Sequence, residues 1–315
     1  MNFIRLFKTA IAICLLFVGT VLLNCDAADS KEGRSGAVDS DEFSEYWYAG
    51  QAELTRYELQ QARYGEIRKG DAVLIFVTED FLADKQVKYE FGDRNNAVPI
   101  LKLNFTRKFY TGIYPYSMMS SIFTPVSADK PSLKVTTTVQ EWCGHVFIQL
   151  NQRNGKYNVQ LRSYFQAEND QDFMLDDALL EDEIWTRIRL APDSLPTGDI
   201  ELIPGGQFAR LRHTPLKVEM ATAKLTTTGD TQPSGNDINV YTISYKDIRR
   251  TLSIEFEKSF PHRILAWQET QPSGFGPNAK LMTTRAVKTH SIKTDYWSKH
   301  KLSDSHLRDE LGLIY

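Results

Sequence analysis

Short runs in which polar and apolar residues alternate fill most of the chain after residue 50 and restrict its fold more than any other feature. Alternation with a period of two is typical of β-strands that bury one face. Between two such runs, Asn154-Gly155 predicts a tight hairpin, because both residues tolerate the positive φ angles of a two-residue turn. The runs predicted as strands are ELTRYELQQARYG, AVLIFVTED, VPILKLNFTRKFYTG, LKVTTTVQEWCGHVFIQLN, KYNVQLRSYFQ, DIELIPG, LKVEMATAKLTTT, NVYTISYKD, RTLSIEFEKS, HRILAWQET and AKLMTTRAVKTH.

Two segments have helical features instead. In residues 172–189 apolar side chains recur near one helix face, with acidic residues early and arginines late, as the helix dipole favours. A second helix is predicted at 303–312, with Ser303 as its N-cap and Gly312 at its end.

Consecutive antiparallel strands with few helices favour one large sheet built as a meander. A sheet of about ten strands has to curl, close or split. We therefore predict a mainly β (α+β) fold: a large, antiparallel, strongly curved sheet or partial barrel with two or three helices on its concave face. It is expected to form a single β-rich domain over residues 43–315.

The N-terminus has the features of an export signal. Residues 1–24 combine a short basic segment with an apolar stretch that is too short for a typical membrane span. Cys25 follows LLN, which is similar to the lipobox of bacterial lipoproteins, although Asn24 replaces the usual small residue. We expect a lipidated Cys25, a flexible tether over residues 25–42 and a location in the cell envelope, in the periplasm or at the outer membrane. Cleavage after Ala27 or Ala28 would instead release a soluble protein.

The charge of the chain argues against a nucleic-acid partner. Removal of residues 1–24 changes the net charge from −3 to −5, because this segment carries Arg5 and Lys8 and no acidic residue. A mildly acidic chain offers no broad basic surface for phosphate backbones. The expected partners are the membrane, through Cys25, and a lipid-like ligand or an envelope protein.

Cys143 and His145 are the only weak candidates for catalysis. Cys143 is the one cysteine left after Cys14 leaves with the signal and Cys25 is lipidated, so no intramolecular disulfide is expected. On a strand the two residues would point to the same face about 6.5–7 Å apart, too far for a thiolate–imidazole pair. We therefore expect WCGH to be part of a strand, with a reactive dyad as the alternative.

The sequence contains no motif for a cofactor or a metal. The histidines lack HExxH spacing and cysteine partners, and the acidic residues 176–183 lack the alternating donors of a calcium loop. No P-loop, G-x-G-x-x-G or G-x-S-x-G segment occurs. No cofactor is therefore expected.

Aromatic residues and methionines concentrate in a few segments and are the candidate ligand-binding residues. Such side chains line apolar cavities that adapt to lipid-like ligands, but they also fill ordinary cores, and the sequence leaves both readings open. The candidates are Tyr114, Tyr116, Met118, Met119, Trp142 and Tyr164.

The segments YWYAGQAELTRYELQQARYGEIRKGDAVLIFVTEDF, TGIYPYSMMSS, VQEWCGHVFIQL and IWTRIRLAPDSLPTG resemble an uncharacterised family of exported lipoproteins from Bacteroidetes. Such proteins often carry the name septum formation inhibitor Maf. True Maf proteins are cytosolic nucleotide pyrophosphatases with an S-x-S-P-R-R-type segment, which this chain lacks. At the level of the fold, the β-rich pattern is similar to periplasmic half-barrel proteins of the LolA and LolB lipoprotein-carrier kind.

The export signal, Cys25, the β-rich pattern and the aromatic segments together predict a non-enzymatic envelope lipoprotein that binds a hydrophobic or amphiphilic ligand or an envelope partner. One alternative is a structural or interaction protein without a ligand cavity. A second alternative is a hydrolase that uses Cys143 and His145.

Overall fold

The computed structural model describes residues 40–127, 129–228, 237–274, 276 and 279–313. Within these residues the fold is one sheet of sixteen strands with four α-helices. The strands are β1 (Ala52–Arg63), β2 (Glu66–Leu82), β3 (Val87–Lys88), β4 (Ala97–Thr111), β5 (Tyr114–Pro125), β6 (Lys134–Glu141), β7 (Gly144–Arg153), β8 (Lys156–Ser163), β9 (Gln171–Asp176), β10 (Leu179–Leu180), β11 (Gly198–Ile203), β12 (Glu219–Thr228), β13 (Ile238–Tyr245), β14 (Arg250–Glu257), β15 (Ile264–Ser273) and β16 (Lys280–Thr294). The helices are α1 (Asp41–Trp47), α2 (Glu181–Leu190), α3 (Gly206–Arg212) and α4 (His306–Glu310).

Two meanders that meet at β1 build the sheet. On one side of β1 the order is β2, β4, β5, β6, β7, β8 and β9, and on the other side it is β16, β15, β14, β13, β12, β11 and β10. Strand β3 pairs with β2 outside this order. Every pairing is antiparallel except that of β10 with β11. The predicted mainly β fold with a large antiparallel sheet is confirmed.

Contacts across the interior show how strongly the sheet curves. Strands β4 and β15 are four positions apart in the sheet order, which corresponds to about 19 Å in a flat sheet. Nevertheless, the ring centroids of Phe105 on β4 and Trp267 on β15 lie 5.3 Å apart. Two residues further along, Arg107 Nη1 donates to Glu269 Oε2 at 3.3 Å. The inner faces of these distant strands therefore meet, as a curled sheet requires.

The two edges of the sheet are joined by a very short stretch of chain. The edge strand β9 ends at Asp176 and the opposite edge strand β10 begins at Leu179. Three Cα–Cα steps span at most about 11 Å, so the two edges approach each other at this point. From Leu180 the chain turns directly into α2.

Helix α2 occupies the interior of the curled sheet. Eight of its ten residues are buried. The Trp185 ring packs edge-to-face on Phe105 at 5.0 Å and on Trp267 at 5.3 Å. As predicted, a helix covers the concave face. None of the helices in the described ranges is long and apolar enough to cross a membrane.

The start of the helix predicted at 172–189 is wrong. Residues 171–176 form strand β9, in which Phe173 and Leu175 are half-buried and their neighbours are exposed. This period of two favours a strand, and pairing with β8 stabilises it. The helix begins only at Glu181, where the Glu183 side chain accepts a hydrogen bond from the backbone N–H of Leu180.

The predicted C-terminal helix is shorter than expected and lies on the other side of the sheet. Helix α4 has five residues, its N-cap is Ser305 rather than Ser303, and Gly312 follows it with a φ of +64°. Leu311 packs on Leu54 and Val77, which belong to the outer face because Glu53 on β1 points inward. Helix α4 is therefore on the convex face.

Other local predictions are confirmed. Asn154 and Gly155 form the β7–β8 turn with φ angles of +52° and +72°. The predicted strand ELTRYELQQARYG corresponds to β1. Helix α1 begins at Asp41, two residues before the predicted start of the domain, and Ser40 Oγ caps it by accepting from Phe43 N–H.

Buried ion pairs connect α2 to the sheet wall. Arg189 at the end of α2 donates from Nη1 and Nη2 to the two carboxylate oxygens of Glu53 on β1, at 2.7 and 2.8 Å. The two side chains are only 1% and 3% exposed. Burial opposes ionisation of Glu53, but the Arg189 guanidinium lowers the pKa of this carboxyl to about 2. The pair is therefore charged at neutral pH.

We predict that Arg189→Met destabilises the protein by about 3–5 kcal/mol, because it leaves the Glu53 carboxylate buried without its partner. The double variant Glu53→Gln with Arg189→Met should recover part of this loss. The free energy of unfolding from urea titration is the measurement.

As a control, Lys258→Met removes the exposed ion pair between Lys258 and Asp237, and it should change the free energy of unfolding by about 0–1 kcal/mol. Equal losses for Arg189→Met and Lys258→Met would show that the buried pair does not hold α2.

Candidate functional site

A cavity of about 160 Å³ lies between the inner face of strands β7–β9 and helix α3 with the segment that follows it. Most of its wall is apolar, since aliphatic and aromatic side chains of the sheet face Ala209 on α3. The apolar lining residues are Val146, Ile148, Leu161, Ala167, Phe173, Ala209, Pro215 and Leu216.

Three polar side chains, Glu168, Arg210 and His213, line one part of the cavity. Glu168 Oε1 accepts from Arg210 Nη1 at 3.2 Å and lies 2.8 Å from His213 Nδ1. The Arg210 guanidinium stacks over the Phe165 ring at 4.2 Å. One carboxylate oxygen of Glu168 therefore contacts both Arg210 and His213 at the rim of the apolar cavity.

Arg63, the last residue of β1, lies on the other side of α3. Its Nη2 donates to the hydroxyls of Tyr64 and Tyr116, each at 3.1 Å, and its Nη1 donates to the carbonyl of Leu211 on α3. Arg212 Nη1 donates to the carbonyl of Gly274 at 3.0 Å. Together with Arg210, these two side chains place three guanidinium groups around the C-terminal end of α3.

Burial and the neighbouring guanidinium groups lower the pKa values of His213 and Arg212. Burial lowers the pKa of His213 below its usual range, and the neighbouring Arg210 lowers it further. Burial also lowers the pKa of Arg212, with a smaller effect from Arg63. His213 is therefore neutral at neutral pH, and positive charge at this end of the cavity is only partly compensated.

Helix α3 is held in place by α2 and by the sheet. Asp182 on α2 accepts the backbone N–H of Gly206 at 3.0 Å, and Gln207 donates to the carbonyl of Phe105 at 3.0 Å. Gly206 allows this approach, because a Cβ at its position would lie 2.4 Å from the Thr137 hydroxyl. Burial raises the pKa of Asp182 to about 7.

Three of the predicted ligand-binding residues come together beside this cluster. Trp142 lies nearly parallel to Tyr114 with ring centroids 6.2 Å apart, and Tyr114 lies 5.8 Å from Tyr116. Met118 is buried on the same face of β5 as Tyr116 and belongs to the core. These rings lie near the end of α3, but they do not line the cavity.

The other two predicted ligand-binding residues lie elsewhere. Met119 alternates with Met118 and is partly exposed on the outer face of β5. Tyr164 follows β8, is 76% exposed and packs against Gly144. Neither side chain lines the cavity.

Cys143 does not lie in a strand, so this part of the strand interpretation of WCGH is wrong. Trp142 and Cys143 form the two-residue turn between β6 and β7, and His145 is the second residue of β7. Both Cys143 and His145 are exposed, and no hydrogen bond joins their side chains in the described part of the chain. The reactive dyad gains no geometric support.

Cys25 and the signal segment lie outside the described residues. Within residues 40–127, 129–228, 237–274, 276 and 279–313, no group of three or more histidine, cysteine or acidic side chains could hold a metal ion.

Sequence reasoning missed the polar residues of the site. Arg63 carried a usable signal, because it lies four residues after Leu59 in an alternating strand and so shares the inner face with Leu59. Glu168 and His213 lie in connecting segments, and no pattern in the sequence marks their meeting with Arg210.

Comparisons with known proteins give little further information. No family model matches the chain, and no curated protein matches it. Among solved structures, a β-barrel-like protein of the domain of unknown function DUF1849 from Brucella abortus is similar, with a TM-score of 0.45 and 10% sequence identity. The match covers 78% of this chain and 98% of that chain. The predicted likeness to Bacteroidetes lipoproteins and to LolA and LolB stays a prediction.

We predict that Cys143 behaves as an exposed, unactivated thiol. Its hydrogen bond with Glu141 raises the pKa of the thiol above the usual range, so alkylation by iodoacetamide at pH 7 should be slow. Glu141→Gln should increase the rate several-fold, and His145→Ala should leave it unchanged. Rapid alkylation at pH 6 that His145→Ala abolishes would instead establish the dyad.

Proposed function

We propose that this chain is a non-enzymatic binding protein of the cell envelope, held at the membrane through Cys25, whose cavity takes the apolar part of a small amphiphile. The observation that carries this proposal is the cavity itself, in which an apolar wall from β7–β9 and α3 meets a rim of Glu168, Arg210 and His213. Ligand sites commonly combine a mostly apolar lining with a few polar groups that fix orientation.

The size of the cavity suits a short apolar group. A volume of 160 Å³ compares with about 150 Å³ for a protein cavity that binds benzene. A bound molecule would therefore place one ring or a short length of alkyl chain inside and leave its polar part at the rim. Ala167 is exposed and lines the cavity, which provides an entrance from solvent.

The proposed location depends on the N-terminal sequence. Residues 1–24 have the pattern of an export signal, and the polar residues 25–42 would separate a lipidated Cys25 from the folded domain. Anchoring by acyl chains needs no membrane-spanning helix.

An interaction protein without a ligand is the second candidate function. In its favour, α2 with Trp185 fills much of the interior, and the core around Phe105 and Trp267 is tightly packed. This candidate predicts that the cavity stays empty in the presence of envelope lipids. A hydrolase that uses Cys143 and His145 is the third candidate, and the thiol alkylation experiment tests it.

We predict that protein purified without detergent carries a small amphiphile, which native mass spectrometry and solvent extraction should detect. The purified protein should also bind the neutral probe N-phenyl-1-naphthylamine, measured by its fluorescence. Ala209→Leu, which fills the cavity from α3, and Ala167→Trp, which blocks its entrance, should each weaken probe binding about tenfold or more.

Val287→Trp is the matched control, because it adds an equally large ring on the exposed face of β16 away from the cavity. It should leave probe binding unchanged. A clean apo mass together with equal probe binding by all variants would favour the interaction protein. Thermal unfolding confirms in each case that the variant is folded.

A further inference from the structure

Positive charge exceeds negative charge around the C-terminal end of α3, where the guanidinium groups of Arg63, Arg210 and the partly exposed Arg212 lie near the carboxylates of Glu141 and Glu168. The side chains of Arg210 and Arg63 are 4% and 6% exposed. Arg210 faces the carboxylates of Glu168 at 3.2 Å and Glu141 at 3.9 Å. Arg63 and Arg212 form no ion pair with any described residue, and the hydrogen bonds that they donate go to neutral oxygens.

Buried guanidinium groups are costly unless an anion compensates their charge. In the described part of the chain, the Nε atoms of Arg63 and Arg210 have no hydrogen-bond partner. Arg210 is one of the cavity-lining residues, as are Glu168 and His213, which its Nη1 contacts. The rim therefore holds a buried guanidinium with an unfilled hydrogen-bond donor.

Glu168 holds the position that a ligand's anion would take. Its Oε1 contacts both Arg210 and His213, and its Oε2 accepts from Ser163 Oγ at 2.5 Å. Glu168 belongs to the connection between β8 and β9 and is itself a cavity-lining residue. It thus supplies from within the chain the carboxylate that the arginine requires.

We infer that the ligand is an anionic amphiphile, whose carboxylate or phosphate binds Arg210 in competition with Glu168 while its apolar chain enters the cavity. This inference rests on the proposed function and adds the chemical class of the head group. Carboxylates and phosphates match the planar fork of an arginine, which binds two oxygens at once. The built-in carboxylate weakens the binding of every anion at this site, because the ligand must displace it.

The test compares hexanoate, hexyl phosphate and 1-hexanol as probes, with acetate and inorganic phosphate as head groups without a chain. Isothermal titration calorimetry measures each dissociation constant at low and high salt. We expect both anionic amphiphiles to bind about tenfold or more tightly than 1-hexanol, and acetate and phosphate to bind far more weakly.

Glu168→Gln keeps the size of the side chain and removes its charge, so it should tighten hexanoate binding about tenfold and leave 1-hexanol binding unchanged. Arg210→Gln should weaken hexanoate binding and leave 1-hexanol binding unchanged. The matched controls are Glu201→Gln and Arg285→Gln, which change exposed charges on β11 and β16. Thermal unfolding establishes that each variant is folded.

The outcomes separate the two proposals. If 1-hexanol binds as tightly as hexanoate and Glu168→Gln has no effect, the cavity binds amphiphiles but the inferred anionic class is wrong. If none of the three chain-bearing probes binds, both the class and the proposed function are wrong. If acetate or phosphate binds as tightly as hexanoate, the site recognises a free anion, which contradicts both proposals.

Discussion

Buried arginine–carboxylate pairs hold helix α2 inside the curled sheet, and the rest of the architecture depends on them. Arg189 at one end of α2 binds Glu53 of β1. At the other end, Glu181 binds Arg250 of β14, which also binds Glu269 of β15. The Arg189–Glu53 and Glu181–Arg250 pairs join the two ends of the interior helix to different parts of the wall. Such pairs add little net stability against apolar replacements, but a broken pair is costly, so they select one placement of the helix.

The position of α2 determines that of α3 and hence the cavity. Asp182, next to Glu181, accepts the first backbone N–H of α3 from Gly206. From there α3 carries Ala209 and Arg210 to the inner face of β7–β9, where the cavity lies. The buried ion pairs of α2 therefore set the distance between Arg210 at the cavity rim and the apolar wall formed by β7–β9.

The sequence allowed the fold class to be predicted, because period-two alternation marks each strand locally. It also allowed the Asn154-Gly155 turn to be placed, since few dipeptides adopt two positive φ angles. The start of the helix predicted at 172–189 was wrong, because its first residues follow both periods and only pairing with β8 selects the strand, whereas the helix itself forms from Glu181. The site was not predictable as a whole, since Glu168, Arg210 and His213 meet through α3, whose position depends on distant ion pairs.

The central claim is that the cavity beneath α3 binds an apolar chain. Anomalous scattering from a crystal grown with 5-bromopentanoate, whose short chain matches the volume of the cavity, tests it most directly. The account predicts a bromine peak among Val146, Ile148 and Ala209, with the carboxylate beside Arg210. An empty cavity, with bromine peaks only on the outer face of the sheet, would contradict it.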